Sequence, residues 1–342
     1  LGDGIIVMLA ALLLSKYFKN IFIVFDRQLN DKQRKTDRFF SINLLSKYML
    51  LKAGIWSDLI SADIQSYNKI MTWDEDICED IIFRSASISY DNLGYIISES
   101  KIKDSLISKI DKLPNIKKID INEIKKIRVT NNIKSLELTN KSLISDALLL
   151  NSDTKISEFL GFNSPEKKTI DYQQKALVMN LSMINKTIDS TAFQKFSNGQ
   201  IQGLLPISNN MYNLIWSAEN TFIDALKVRQ PKDILEVLNN TFSERIGQIK
   251  SLSSLATFSL SGFHVKKYFD KNLAVIGGAA HSVHPMAGLG LNMGIQDIFL
   301  LHEAMLDYNN NAPNMDIILS TYEDHCVQEN SKIFNTINFL KK

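Results

Sequence analysis

The chain has 342 residues, of which 45% are hydrophobic and 22% charged, as in an ordinary globular protein with one large or two ordinary domains. A formal net charge of +2 gives no electrostatic field that would favour nucleic acid. The two cysteines, Cys78 and Cys326, form neither a CxxC pair nor a metal-binding spacing, so reduced thiols are expected rather than a disulfide. The longest apolar run, Ile5 to Leu14, is too short to span a bilayer and lacks a signal-peptide cleavage pattern.

The first residues have the outline of a dinucleotide-binding βαβ unit. Gly2 and Gly4 precede an apolar helix predicted from Ile5 to about Phe18, a strand follows over Ile21–Phe25, and Asp26 ends that strand. In such a unit the glycines form a tight turn, and an acid roughly 20 residues later binds a ribose hydroxyl. The sequence therefore predicts nucleotide contacts at Gly2, Gly4 and Asp26.

Two features depart from this outline. Val7 stands where the third glycine belongs, so we expect the helix to be pushed away from the strand or the loop to be rearranged. The strand that should precede Gly2 is not in the sequence. A fragment, a misassigned start and a shortened gene are three explanations that the residues leave open.

The middle of the chain alternates helices and strands. The predicted helices lie at about Ile42–Ala53, Ile102–Ile110, Pro231–Phe242 and Glu244–Leu252. The predicted strands lie within 57–90, at four short segments within 119–150, and at two longer segments, Ala176–Met183 and Tyr212–Ser217. Helices alternating with strands predict an α/β fold.

A glycine-rich segment near the carboxyl end carries the most specific pattern. A buried strand, Leu273–Ile276, leads into small residues from Gly277, and a second loop around Pro285 and Gly288 leads into a helix that continues to about Tyr308. Small residues let a ligand approach the backbone, and a helix N-terminus favours negative charge. A last helix is predicted from Met315 to about Leu340.

The residues of this segment resemble the second flavin motif of the FAD-dependent aromatic monooxygenases, and most of all that of the ubiquinone-biosynthesis hydroxylases. The matching positions are Gly277, Ala279, Ala280, His281, Pro285, Gly288, Gly290, Asn292, Gly294 and Asp297. The resemblance runs in order along essentially the whole chain. Gly278 departs from it, because the family usually has an aspartate there that hydrogen-bonds the ribityl chain of FAD.

The resemblance implies a fold and a set of site residues. The implied α/β fold is a Rossmann-like FAD-binding domain in three parts, 1–60, 91–170 and 266–342, with a substrate domain in two parts, 61–90 and 171–265, built on a mixed or antiparallel sheet. The implied cofactor contacts are Gly2, Gly4, Asp26, Arg38, Asp153, Gly277, Gly278, Ala279, Gly288, Leu289, Gly290, Leu291 and Asn292. Pro285, Gly288, Gly290 and Asn292 are expected against the flavin ring, where the chemistry occurs.

Thr154 and Leu160 replace a glycine and an arginine of the family's pattern, so we expect an altered turn after Asp153. Phe193, Phe196, Leu205 and Trp216 either wall a pocket for an aromatic ring with an apolar tail or belong to the core. The five histidines show no metal-ligand spacing, and His281 is expected to hold the flavin loop.

By resemblance, NAD(P)H reduces FAD, and oxygen from O2 is transferred to a phenol ring, so the cofactor carries the chemistry. The implied protein is cytoplasmic, with peripheral contact at the inner membrane surface if its substrate has a lipid tail; a homo-oligomer or a ubiquinone-biosynthesis complex stays open. Two other hypotheses remain: a degenerate flavoprotein homologue that binds FAD weakly or not at all, and a flavin oxidoreductase of another kind. The ring position, the substrate's tail and the choice between NADH and NADPH are not predicted.

Overall fold

The computed structural model describes residues 1–26, 37–61, 64–76, 79–130, 133–140, 143–144, 148–159, 165–185, 190–253, 255–270, 273–308 and 315–341. The helices are α1 (Ile5–Leu14), α2 (Leu44–Lys52), α3 (Trp56–Ser61), α4 (Glu99–Ile110), α5 (Thr154–Phe159), α6 (Asn220–Lys227), α7 (Pro231–Ile246), α8 (Gly290–Tyr308) and α9 (Met315–Leu340).

The strands of the first half are β1 (Ile21–Phe25), β2 (Phe39–Ile42), β3 (Gln65–Tyr67), β4 (Lys69–Asp74), β5 (Ile81–Arg84), β6 (Gly94–Ser98), β7 (Ile116–Asp120), β8 (Ile124–Thr130), β9 (Ile133–Leu138), β10 (Leu143–Ile144) and β11 (Leu149–Asn151). Those of the second half are β12 (Lys167–Met183), β13 (Thr191–Ser197), β14 (Gln200–Ser208), β15 (Met211–Glu219), β16 (Ile249–Leu252), β17 (Ala256–Val265), β18 (Phe269–Asp270), β19 (Leu273–Val275) and β20 (His281–Ser282).

A large sheet forms one part of the molecule. Its strand order is β20-β17-β12-β15-β14-β13-β4-β5, with β16 paired to β12, and its pairs are antiparallel except for the parallel pair β13–β4. Helix α7 packs on this sheet, and their shared core contains Trp73, Leu214 and Phe242. The predicted antiparallel or mixed sheet is therefore present.

Two short parallel pairs form the other part. β1 pairs with β7, and β11 pairs with β19. The first two residues lie between these pairs: the Gly2 amide donates to the Val24 carbonyl at 2.9 Å, and the Ser152 amide donates to the Leu1 carbonyl at 3.1 Å. Leu1 and Gly2 thus join the two pairs at the carboxyl ends of β1 and β11.

Helix α1 is the centre of this second part. All ten of its side chains are buried, which is the expected behaviour of a helix that is apolar on every face. It packs in one cluster with α4, α8 and α9. Helix α4 begins where the sequence provides a cap, since the Ser98 hydroxyl accepts from the Lys101 amide.

Most predicted elements are confirmed, and one is wrong. The helix predicted over Glu244–Leu252 does not form, because α7 continues only to Ile246 and ends at Gly247, whose φ is +84°. Residues Ile249–Leu252 instead form strand β16 on the edge of β12. The sequence prediction also missed helices α3 and α6, the first of which overlaps the start of the segment predicted as strands, and it extended α1 beyond its last residue, Leu14.

Candidate active site

The first glycine loop leads directly into helix α1. Gly2 has φ of +120°, a conformation that favours glycine, and Gly4 is the N-cap of the helix. Asp26 follows β1, whose Val24 carbonyl accepts from Gly2. The structure therefore brings the loop close to the strand end that carries the predicted ribose-binding acid.

Val7 does not prevent this arrangement. Its side chain is buried, and its Cγ2 atom lies 3.2 Å from the position that a Cβ on Gly2 would occupy. Since Gly2 has no side chain, Val7 packs over it, and α1 begins at Ile5 immediately after the loop. The expectation of a displaced helix or a rearranged loop finds no support in this local packing.

The second glycine segment contains two short turns before helix α8. Strand β19 leads into a 3₁₀ turn at Gly277–Ala279, and a second 3₁₀ turn at Pro285–Ala287 precedes Gly288. Gly277 and Gly288 have φ of +52° and +59°. The chain reverses at glycines because other L-residues are disfavoured in this left-handed region.

Ile6 joins the two glycine segments. A Cβ built on Gly294 would lie 2.7 Å from the Ile6 Cδ1 atom, and one built on Gly277 would lie 3.2 Å from its Cγ2 atom. The first turn of α1 therefore fits between the Gly277 turn and the second turn of α8. Only glycine at both positions allows the helix N-termini of α1 and α8 to be this close.

The backbone is accessible at both helix starts. A Cβ built on Gly4 or Gly290 would meet no described protein atom within 4 Å. Helix N-termini leave amide groups without intrahelical partners and carry partial positive charge, so both starts suit anionic groups. Gly278, which follows Gly277 in the first turn, is exposed, and a Cβ there would lie 3.3 Å from the Ser152 carbonyl oxygen.

The Asn292 side chain holds the second loop to its surroundings. Its Oδ1 accepts from the Asn43 amide at 3.1 Å and the Ser46 hydroxyl at 2.8 Å, and its Nδ2 donates to the carbonyls of Ser41 and Gly288 at 2.8 and 3.1 Å. These four bonds occupy both the oxygen and the nitrogen of the side-chain amide. Asn292 can therefore offer a ligand its backbone amide, while its side chain fixes the loop.

The buried carboxylate of Asp297 holds the turn that begins at Gly277. Asp297 is fully buried; its Oδ2 accepts from the Gly277 amide and from His281 Nε2, both at 2.8 Å. Its Oδ1 accepts from Asn330 Nδ2 at 2.8 Å and from the Cys326 thiol at 3.7 Å. Burial, with Asp297 adding to it, raises the pKa of Cys326, so the thiol stays protonated and donates. His281 has the loop-holding contact expected of it.

His284 connects the loop to the large sheet. Its Nδ1 accepts from the Met286 amide at 3.2 Å, so its Nε2 carries the proton and donates to Gln174 Oε1 at 3.1 Å. Burial, with a smaller contribution from Lys341, lowers the pKa of His284 to about 4. The ring is therefore neutral at physiological pH and acts as a fixed donor and acceptor.

Two predicted cofactor contacts also form hydrogen bonds within the protein. The Arg38 Nε donates to Glu99 at 2.6 Å. Asp153 is the N-cap of α5, where its Oδ1 accepts from the amides of Lys155 and Ile156 at 2.8 and 3.2 Å. Thr154 begins that helix without a positive φ. The turn after Asp153 is thus built as an ordinary helix start.

The four candidate pocket residues divide into two groups. Phe193 and Trp216 are buried in the core between the sheet and α7. Phe196 packs in a cluster with Met286 and Leu289 of the second loop, and Leu205 packs in another cluster with Tyr67. The sheet thus presents Phe196, together with Ile201, toward the loop that carries Pro285 and Gly288.

The remaining predicted loop residues lie in the first turn and around the start of α8. Ala279 is buried in the first turn, Leu289 precedes α8, and Leu291 packs half-buried on the core from the first turn of α8. Within the described ranges, no group of three or more His, Cys, Asp or Glu side chains could hold a metal ion. Across the same residues, no helix has both the length and the apolar character needed to cross a membrane.

This site defines a class: an α/β nucleotide-binding protein in which two glycine loops meet at two helix starts beside a large antiparallel sheet. The model of the family described as FAD binding domain matches residues 157–335, more than half of the chain. The chain belongs to this family, and the predicted class of FAD-dependent monooxygenase is confirmed.

Known relatives agree with this assignment. The chain is 24% identical to 3-demethoxyubiquinol 3-hydroxylase of Escherichia coli (strain K12) over 79% of its length and 68% of the relative's. It is 22% identical to ubiquinone hydroxylase UbiM of Neisseria meningitidis over 74% of its length and 55% of the relative's. The crystal structure of P. aeruginosa PqsL in complex with 2-aminobenzoylacetate matches the fold with a TM-score of 0.83, at 16% identity, over 99% of this chain and 94% of that chain.

The residues present fit FAD in most respects. The accessible backbone at Gly4 and Gly290 suits the diphosphate and the polar edge of the ring. What is missing is a carboxylate at Gly278. The sequence prediction gave Ile6 no role in joining the loops and did not recognise that Asp297 accepts from the Gly277 amide. The available clue to the role of Ile6 was a bulky residue in the first turn of a helix that follows two glycines.

Proposed function

We propose that this protein hydroxylates the ring of a phenol in ubiquinone biosynthesis, with FAD as cofactor and NAD(P)H and O2 as co-substrates. The observation that carries this proposal is the meeting of the two glycine loops at Ile6, beside an apolar sheet surface that faces the second loop. The names of the relatives, which are ubiquinone hydroxylases, support the choice of a phenolic substrate.

In this proposal the chain's own groups bind and orient. The amides at the start of α1 would hold the FAD diphosphate, and Asp26 the ribose. The amides from Gly290 to Asn292 would stabilise negative charge on the ring, with Pro285 and Gly288 against it. Bound FAD would supply the redox chemistry. The proposed FAD domain comprises 1–60, 91–170 and 266–342, and the proposed substrate domain 61–90 and 171–265.

Phe196 is proposed to contact the substrate, whereas Phe193 supports the core. Phe196→Ala should raise KM for a phenol substrate several-fold and leave the melting temperature nearly unchanged, because the side chain is only partly buried. Phe193→Ala, the matched control, should cost about 3–5 kcal/mol of unfolding free energy through the cavity it leaves. Steady-state kinetics and thermal unfolding of both variants test the assignment. Equal KM values for Phe196→Ala and the parent protein would contradict it.

A second function is favoured by Gly278 and Arg38. With no carboxylate at position 278, and with Arg38 paired to Glu99, the protein would bind FAD weakly and could serve as a structural partner in a biosynthetic complex. The visible absorbance spectrum with added FAD separates the two functions. Bound flavin supports the hydroxylase, and a folded protein that binds none at high FAD concentration excludes it.

Gly278→Asp should lower the Kd for FAD. The position is exposed and follows Gly277, which packs against Ile6 in the first turn of α1. A charge-assisted hydrogen bond contributes about 1.5–3 kcal/mol, which corresponds to about tenfold or more in Kd. Gly278→Ala is the control, since it adds the Cβ beside Ser152 without the carboxylate. Titration followed by flavin absorbance measures both. If alanine and aspartate change the Kd equally, the carboxylate is not the missing group.

The partners and location follow as further proposals. A substrate with a polyprenyl tail would bring the protein to the inner membrane surface as a peripheral, cytoplasmic enzyme. Membership of a ubiquinone-biosynthesis complex is proposed on the same basis. NADH and NADPH consumption with phenols that precede the quinone would define the substrate and the reductant.

A further inference from the structure

Strand β5 exposes apolar side chains on both of its faces. Ile81, Ile82 and Phe83 are 62%, 40% and 53% exposed, and Arg84 is also exposed. β5 is the last strand of the large sheet on that side. A strand with one buried face would alternate between buried and exposed side chains, so this strand projects beyond the core that it borders.

The register with β4 assigns the side chains to faces. Ile82 lies opposite Met71, and Phe83 lies opposite Ile70. Because side chains alternate along a strand, Ile82 and Arg84 share one face with the preceding Asp80, and Ile81 shares the other with Phe83. Each face therefore carries exposed apolar surface, and one of them carries an acid and a base at its two ends.

The outer edge of β5 has unpaired backbone groups. Among the described residues, its strand partner is β4 alone. An edge of this kind is a template for another strand. A lipid surface would not satisfy these amide and carbonyl groups, because the hydrocarbon offers no hydrogen-bond partners. Another strand would satisfy them and cover the apolar side chains as well.

We propose that β5 pairs antiparallel with β5 of a second copy of this chain, with Ile82 on the two-fold axis. In this register Asp80 lies opposite the partner's Arg84, and Arg84 lies opposite the partner's Asp80. On the other face, Ile81 lies opposite the partner's Phe83. Residues 80 to 84 are an acid, three apolar residues and a base, in that order. This order is self-complementary, because antiparallel pairing about Ile82 places opposite charges and apolar side chains against each other.

The acid of this pattern is held in place before pairing. Arg245 on α7 donates to both carboxylate oxygens of Asp80, at 2.6 and 2.9 Å, while its guanidinium lies 4.2 Å from the centre of the Trp73 ring. Asp80 is therefore ordered on the face that Ile82 and Arg84 share. A fixed carboxylate loses less conformational entropy when the partner's Arg84 approaches.

Sedimentation of the full chain over a range of concentrations tests the proposal. The parent protein should form dimers, and Ile82→Lys, which places two ammonium groups opposite each other at the axis, should weaken dimerisation by about tenfold or more. Val228→Lys is the control, because Val228 is 81% exposed at a site outside β5 and its variant should dimerise like the parent. A monomeric parent protein at every concentration would overturn the proposal.

Disulfide cross-linking tests the register. In a Cys78→Ser background, Ile82→Cys should form a disulfide-linked dimer, since directly opposite Cβ atoms approach to about 4.5–5.5 Å. Ile81→Cys should cross-link only when mixed with Phe83→Cys. Cross-linking of Ile81→Cys alone, at the rate of Ile82→Cys, would reject this register.

Vesicles of phosphatidylethanolamine and phosphatidylglycerol separate the dimer from a membrane contact. Unchanged vesicle binding by Ile82→Lys, together with loss of its dimer, supports the proposal. Loss of vesicle binding by a protein that is monomeric throughout would assign β5 to the membrane and overturn the dimer.

Discussion

Replacing Asp297 with alanine should lower the free energy of unfolding by about 3 kcal/mol or more, because each buried donor left without its acceptor costs about 1–3 kcal/mol. The carboxylate accepts from the Gly277 amide, His281, Asn330 and the Cys326 thiol, and it is fully buried. Its removal leaves these buried donors without an acceptor. Urea unfolding followed by circular dichroism measures the loss.

The same variant should also bind FAD less tightly, because the Gly277 amide would no longer be anchored and the turn beside α1 would relax. Asp324→Ala is the control: Asp324 is an exposed acid on α9, so its loss should change stability by no more than about 0.5 kcal/mol. A cost below about 1 kcal/mol for Asp297→Ala would show that the network relaxes around the gap and does not hold the loop.

The protein should become more stable as the pH rises from about 4 to 6.5. The His284 ring is buried, and burial, with a smaller contribution from Lys341, lowers its pKa from 6.5 to about 4. Between these pH values the unfolded chain binds a proton that the folded chain does not, so stability increases with pH. At about 1.4 kcal/mol per pKa unit, the total is about 3 kcal/mol.

His284→Gln is the matched control, because a glutamine side chain does not titrate and the contribution of His284 to the pH dependence between 4 and 6.5 should disappear. A smaller slope should remain, because burial also lowers the pKa of His264 and of His302. Urea midpoints measured from pH 4 to 8 provide the comparison. Identical slopes between pH 4 and 6.5 for the variant and the parent protein would refute the buried neutral imidazole.

Local pattern was sufficient to predict most elements of the fold. Strand β1, the start of α1 and both carboxyl-terminal helices follow from apolar runs bounded by glycine or polar residues. The failure at Glu244–Leu252 has a tertiary cause. Its apolar residues suit a helix or a strand equally, and pairing with β12 decides for the strand once Gly247 has ended α7.

The roles of the site residues were less predictable. Asn292 and Asp297 belong to the recognised motif, yet their partners Asn43 and Asn330 are far away in the chain, so no local pattern links them. Val7 was expected to disturb the helix because the usual role of that position is contact with a strand. In the folded chain it packs over Gly2, a contact that only the conformation of the loop creates.

The sequence by itself determined the family and the two glycine loops, because these depend on short runs of residue types whose backbone preferences are local. The tertiary structure alone decided which partners hold the predicted site residues. It engaged Arg38 with Glu99, Asp153 with the start of α5 and the Asn292 side chain with its neighbours, and it left Phe196 facing the loop while Phe193 entered the core. The physical reason is that hydrogen-bond partners and burial are set by residues distant in the chain.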